Sequence, residues 1–156
     1  MRTIATLALL ALGGSFATPA HADAAVSTRL DARGIKYDVD DDGDYRVVYD
    51  YKKEGRTQLV FVSGRTQKVG GMLVREVFSP AARVKGDRID GAKALELLAE
   101  SRNNKIGGWE LDGDLLLFVI KLLDNVDAAT LESAMDVAAQ TADDMEIELS
   151  GSKDAL

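Results

Sequence analysis

The sequence predicts an α+β fold in which an antiparallel sheet of about five strands packs against three helices, in the order α-βββ-α-ββ-α. Two observations carry this reading. Apolar residues fall at helical spacing in three separate blocks and alternate with polar ones in the stretches between. Two Asp-Gly-Asp clusters, Asp42-Gly43-Asp44 and Asp112-Gly113-Asp114, sit between strand-like runs, the signature of tight hairpins whose central residues need positive φ. No Pro- or Ser-rich linker divides the chain, so residues 23–156 read as one domain.

Val26, Leu30 and the stop at Gly34 predict a short first helix, with Arg29 and Arg33 at the negative end of its dipole. From Lys36 the period becomes two: Tyr37 and Val39, then the first Asp-rich turn, then Tyr45, Val47, Tyr49 and Tyr51 alternating with Arg46 and Asp50. Gly55 marks the next turn, and Gln58 to Ser63 and Met72 to Phe78 read as further strands of a meander. The tetrapeptide Gly-Arg-Thr-Gln occurs at Gly55 and again at Gly64, two similar turn exits. Pro80 is expected to close the meander, because proline cannot donate to a ladder.

A helix follows to Arg102, and the spacing of Ile89, Ala92, Leu95, Leu98 and Ala99 predicts its buried stripe. Trp109 to Leu111, the second Asp-Gly-Asp turn and Leu115 to Leu123 predict a hairpin. Asp127 then caps a long helix with Leu131, Ala134, Met135, Ala138, Ala142, Met145 and Leu149 at steps of three, four and seven. The strand from Leu115 to Leu123 is broken only by Lys121 and is apolar on both faces, so both need a cover. Either the chain's own helices cap both sides, or Leu115, Leu117 and Val119, with Trp109, meet a second subunit or partner.

The chain begins with Arg2, an apolar run from Ile4 to Leu12, a Gly13-Gly14 break and the small residues of Ala20-His21-Ala22. This is the pattern of a cleavable secretory signal at residues 1–22, cut after Ala22, and it places the mature protein in the periplasm or outside the cell. The run is about half the ~20 residues that span a bilayer, so no stable membrane insertion is expected.

Composition then excludes whole chemistries. The chain of 156 residues has no cysteine and one histidine, His21, which the cut removes. Thiolate catalysis, disulfides, cysteine zinc sites, Ser-His-Asp triads and HExxH sites all go with them. The 134 residues left of the 156 keep 18 of the 19 basic side chains and all 26 acidic ones, a net charge of −8. Such a chain has no basic stripe for a nucleic-acid backbone.

Asp38, Asp40, Asp42 and Gly43, with Asp44 beside them, fit the first half of a calcium loop, in which alternate carboxylates converge on a hard cation. The twelfth position is Tyr49 where a bidentate Glu is required, and the flanks read as strands, so a solvated turn competes with a calcium-binding structural module. A histidine-free hydrolase built on two carboxylates is the other alternative, and no Ser-x-x-Lys spacing supports a serine nucleophile. Trp109, Tyr45, Tyr49, Tyr51 and Phe61 either pack beneath the helices or form a recognition surface.

The segment Leu30-Asp31-Ala32-Arg33-Gly34-Ile35-Lys36-Tyr37 before the first Asp-rich hairpin resembles the YbjN family of bacterial sensory transduction regulators. So do Leu98 to Asn104 and Gly108-Trp109-Glu110-Leu111-Asp112-Gly113-Asp114 before an apolar strand and a terminal helix. The resemblance spans residues 24–149 and carries no catalytic signature. It implies the fold of type III secretion chaperones and a homodimer that binds proteins without turning over a substrate or holding a cofactor. The expectation is therefore an exported, non-enzymatic interaction or regulatory module whose partner is another protein or itself.

Overall fold

The computed structural model describes residues 23–151 apart from Arg88; the proposed signal segment lies outside the described residues. Asp23 is the N-cap of α1 (Ala24–Ala32), its carboxylate accepting from the Ala25 N–H. The chain then forms β1 (Asp38–Val39), β2 (Tyr45–Tyr51), β3 (Arg56–Val62), β4 (Gln67–Val69) and β5 (Met72–Arg83). After these come α2 (Gly91–Ser101), β6 (Gly108–Asp112), β7 (Leu115–Leu123) and α3 (Ala128–Ser150).

Among the described residues the fold is α+β with three helices and one antiparallel sheet, which has seven strands instead of about five. The short strands raise the number: β1, two residues, is the first arm of the Asp-rich hairpin, and β4, three residues, was not expected. Sheet order is β1-β2-β3-β5-β7-β6, with β4 paired to β5, and every pairing is antiparallel.

Pro80 does not close the meander. β5 runs on through it to Arg83, and the register with β7 slips between Pro80 and Ala82. A bulge accommodates the missing N–H, and Gln58 Nε2 reaches the Pro80 carbonyl at 2.7 Å, so the interruption stays hydrogen-bonded. The bulge also changes the parity of the strand, and this sets which residues face together beyond it.

α3 crosses β3, β5 and β7 on one face of the sheet. Its buried stripe includes Leu131, Ala134, Met135, Ala138, Ala139, Ala142 and Met145, as the spacing predicts. The alanines bring the helix close to Val60, Val62, Val77, Phe118 and Ile120, which form the floor of the core. Val26 and Leu30 of α1 extend the same layer.

Two ion networks hold the helices to the sheet. Arg56 of β3 donates to Asp143 at 2.8 Å and to Glu146 at 2.9 Å on α3, all three nearly solvent-free. Arg75 of β5, 1% exposed, donates to Asp23 at 2.5 Å, to Asp124 at 2.6 Å and to the Ser63 carbonyl. Arg29 of α1 binds the Asp124 carbonyl as well, so α1, β5 and the end of β7 share one cluster.

α2 departs from the periodicity reading. Of its residues only Leu97 is buried, while Leu95 and Leu98 stand 68% and 69% exposed. The helix leans on the edge strand β6, and the face it turns inward is not its most regular apolar stripe.

Candidate protein-binding surface

Side chains alternate across each strand, and the registers place every second residue of β2, β3, β5 and β7 on the face turned away from α3. Among the described residues no helix lies over that face. Leu59 and Phe61 come from β3, Phe78 and Pro80 from β5, and Leu115, Leu117 and Val119 from β7. Phe61 and Phe78 are cross-strand partners whose rings stack at 5.2 Å and 8°. Together with Leu115 and Leu117 they line a shallow groove of about 250 Å³ that ends at Arg83 and Asp112. Arg83 faces it because of the bulge at Pro80.

An acidic border runs along one side. Asp44, Glu76, Glu110 and Asp112 line a neighbouring hollow whose apolar wall is Phe78, Leu117 and Val119. Lys121, the single charge in the β7 run, lies 2.5 Å from Glu110 and 3.8 Å from Glu76. The Glu110 contact foremost raises the Lys121 pKa, so the cation stays charged there. Burial, with Asp40 and Asp42 nearby, pushes the Asp44 carboxyl above the ordinary aspartate value against the pull of the Gly64 N–H.

The sequence-derived surface set is thus divided. Leu115, Leu117 and Val119 share the face turned away from α3, where Leu115 and Leu117 are half-buried and Val119 is buried. Trp109 is the cross-strand partner of Phe118, touches it edge-on at 5.2 Å, and so stands on the helix side of the sheet. Leu59, Phe61, Phe78 and Pro80 complete the groove and were missed as members of it. Their signal was present in β3, where Leu59 and Phe61 are as apolar as Val60 and Val62 on the other side, just as in β7.

The Asp-rich turn is held by its own carboxylates. Asp40 Oδ1 accepts the N–H groups of Asp42 and Asp44 at 3.0 and 2.9 Å, Asp44 Oδ1 accepts from Gly64 at 2.9 Å, and Asp38 pairs with Arg46 at 3.2 Å. They close the turn and tie it to the next loop instead of converging on one point. Among the described residues no group of three or more His, Cys, Asp or Glu side chains is placed to hold a metal ion. The two buried carboxylates of α3, Asp143 and Glu146, are both spent on Arg56.

Of the aromatics, Tyr45 is in the core against Tyr37, and Tyr49 donates to Asp136 of α3 at 2.8 Å. Burial foremost, then this carboxylate, raises the Tyr49 pKa; burial likewise pushes Tyr51 up to about 12, with Asp143 and Asp144 adding to it. Both phenols therefore stay protonated, and Tyr49 acts as a donor. No described helix is long and apolar enough to cross a membrane.

No family model matches the chain, and no curated protein is similar to it in sequence. Among solved structures it is similar to the Yersinia pestis type III secretion chaperone SycH, solved in complex with a stable fragment of YscM2. The TM-score is 0.52 at 14% identity, with 79% of this chain and 98% of that chain covered. The chain has the fold of that chaperone.

Proposed function

We propose that the protein is an exported, non-enzymatic interaction module of the YbjN type, acting in the periplasm as a homodimer and regulating or escorting a protein partner. The uncovered sheet face carries this reading: a monomer gains nothing from stacked aromatics and leucines left without a cover, whereas a bound segment removes them from water. The acidic border selects the occupant, an extended segment whose apolar side chains are flanked by lysine or arginine. The fold shared with a chaperone solved on a protein fragment is in keeping with this use.

The start of the domain supports export with a cut after Ala22. Asp23 caps α1, holds Arg75 and offers its carbonyl to the Tyr45 hydroxyl at 2.9 Å. A cut after Ala22 keeps all three contacts, and a cut one residue later removes them.

Both parts are tested in cells making the full chain with a photo-crosslinking residue at Leu115. An adduct with a second protein, absent when the residue is placed at exposed Lys53 and lost on adding Leu117→Asp, is the expected result. The intact mass of the envelope-extracted protein should begin at Asp23. Equal adducts at both positions, or a chain retaining Met1, would defeat the respective parts.

A further inference from the structure

The β4–β5 hairpin carries a surface of its own. Its turn is Gly70-Gly71, both at positive φ, +55° and +91°, which reverses the chain in two residues. β4 pairs with β5 alone, and the pairing of β7 with β5 ends at Leu123 opposite Val74, so Val69 to Leu73 project past the end of the sheet. Val69 and Met72 are cross-strand partners and share one face with Val74 and Leu123, while Leu73 lies on the other. Val69, Met72, Leu73 and Leu123 are each about half exposed. The charges of Glu76, Lys121 and Glu110 separate them from the aromatic groove.

The charge of this end is the reverse of the groove's border. Residues 55–75 hold no acid in a chain with 26, and of their four basic side chains Arg65 and Lys68 are exposed, Lys68 paired across the hairpin with Leu73. The acids of this end are already committed: Asp23 and Asp124 are both bound by Arg75, and Asp127 caps α3. A projecting tip that is apolar on both faces offers no concave wall to a docked chain, whereas a fluid interface covers both faces at once. Lysine suits such a place, because its stem lies along apolar surface while its ammonium stays among polar groups.

We propose that the β4–β5 tip rests in the interface of a lipid bilayer bearing anionic headgroups, with Val69, Met72, Leu73 and Leu123 at the acyl boundary and Lys68 and Arg65 at the headgroups. The contact is peripheral and reversible, since a few side chains at interfacial depth span nothing. Asp23, the first residue after the proposed cut, is held at this end by Arg75, so an exported chain leaves its bilayer with the tip turned toward it. That direction rests on the export reading; the tip contact itself rests neither on it nor on the aromatic groove, which stays free for a protein.

Vesicles of phosphatidylglycerol and phosphatidylcholine in equal parts, compared with phosphatidylcholine alone, test this on protein recovered from cells making the full chain. The chain has no cysteine, so Met72→Cys takes a single nitrobenzoxadiazole label, and Lys53→Cys, in the exposed β2–β3 turn at the other end of the sheet, takes the control. On the mixed vesicles the label at 72 should brighten and shift to the blue and the label at 53 should not, whether or not residues 1–22 remain. Flotation should show binding reduced about tenfold or more by Val69→Asp with Met72→Asp, about fivefold by Lys68→Ala, and weakened on phosphatidylcholine alone. A circular-dichroism melt shows that each variant folds; Lys68→Ala, at an exposed position, carries the test if the double variant does not. Leu117→Asp should leave the shift at 72 intact while removing the Leu115 adduct, so the two surfaces fail separately. No shift at 72, equal shifts at 72 and 53, or flotation unchanged by both tip variants overturns the proposal. So does a shift at 72 that follows protein concentration without vesicles, which would give the tip to a second copy.

Discussion

Replacing Arg75 by Met removes the cation that joins the start of the domain to its sheet. Arg75 is 1% exposed and donates to two carboxylates and a carbonyl, so its loss leaves Asp23 and Asp124 without their closest positive charge. Breaking a fully buried pair costs about 3–5 kcal/mol. Asp23 is 38% exposed and regains water, and Asp124 keeps Arg29 at 3.4 Å, which places this case at the low end, about 3 kcal/mol. For a domain of this size that lowers Tm by roughly 10 °C. Thermal and urea unfolding followed by circular dichroism measure it, with an unchanged urea slope showing that the native state is otherwise intact. The Ala25 N–H foremost, then Arg75, hold the Asp23 carboxyl below the ordinary aspartate value. A depressed folded pKa contributes stability above the unfolded value and loses it as pH falls through the folded one. The gap between wild type and variant should therefore narrow below about pH 4. A loss under about 1 kcal/mol at neutral pH, or a gap that widens in acid, would refute the network as described.

Asp44→Asn keeps an acceptor for the Gly64 N–H and removes a half-buried charge beside Asp40 and Asp42. Because the folded Asp44 pKa is raised, its charged form is disfavoured on folding, so the variant should melt higher at pH 7 and equally with wild type near pH 3. In the same assay millimolar calcium should leave wild-type Tm unchanged, since the turn carboxylates are already committed; a clear rise would restore the calcium module. Gly107→Ala should unfold the domain or cost several kcal/mol. Its φ is +77°, and a Cβ there would sit 2.7 Å from the Val119 carbonyl oxygen. Gly113→Ala, with φ +58° and open space around the Cβ, should cost only about 1–2 kcal/mol in chemical denaturation.

How much of this was legible in the residues follows from what each pattern encodes. The hairpins were readable because Asp-Gly in a tight turn is a local requirement, met at Gly43 and Gly113 with φ of +86° and +58°. The α3 stripe was readable because seven apolar positions at helical spacing over 23 residues leave one face to bury. β4 was not readable as a ladder member, since three residues carry no alternation and its pairing depends on where β5 presents a free edge, whereas β1 follows from the Asp-rich hairpin in which Val39 pairs with Tyr45. The continuation of β5 through Pro80 was hidden for a related reason: the bulge that tolerates proline puts one extra residue, Ala81, into β5, and it is defined only by pairing with β7, about 40 residues away in sequence.

The candidate surfaces show what periodicity records. A stripe of apolar residues states that a face is selected for contact, but not whether the contact is made within the chain. In α3 the stripe meets the sheet, so sequence and structure agree. In α2 the same signal from Ala92, Leu95, Leu98 and Ala99 was read as core, whereas the fold buries Leu97 and turns the stripe to water. In β7 the doubled apolar character was read as needing two covers, and only one is present among the described residues, with Leu115 and Leu117 on the bare side. Both mismatches leave more apolar surface than the domain uses for its own stability. A chain of net charge −7 does not keep two such patches in water without use, since each is a route to aggregation that one charged residue would close. The aromatic groove of the sheet has an acidic edge that its own copy, equally acidic, would repel. That edge is the physical ground for giving the sheet face to a foreign, basic segment.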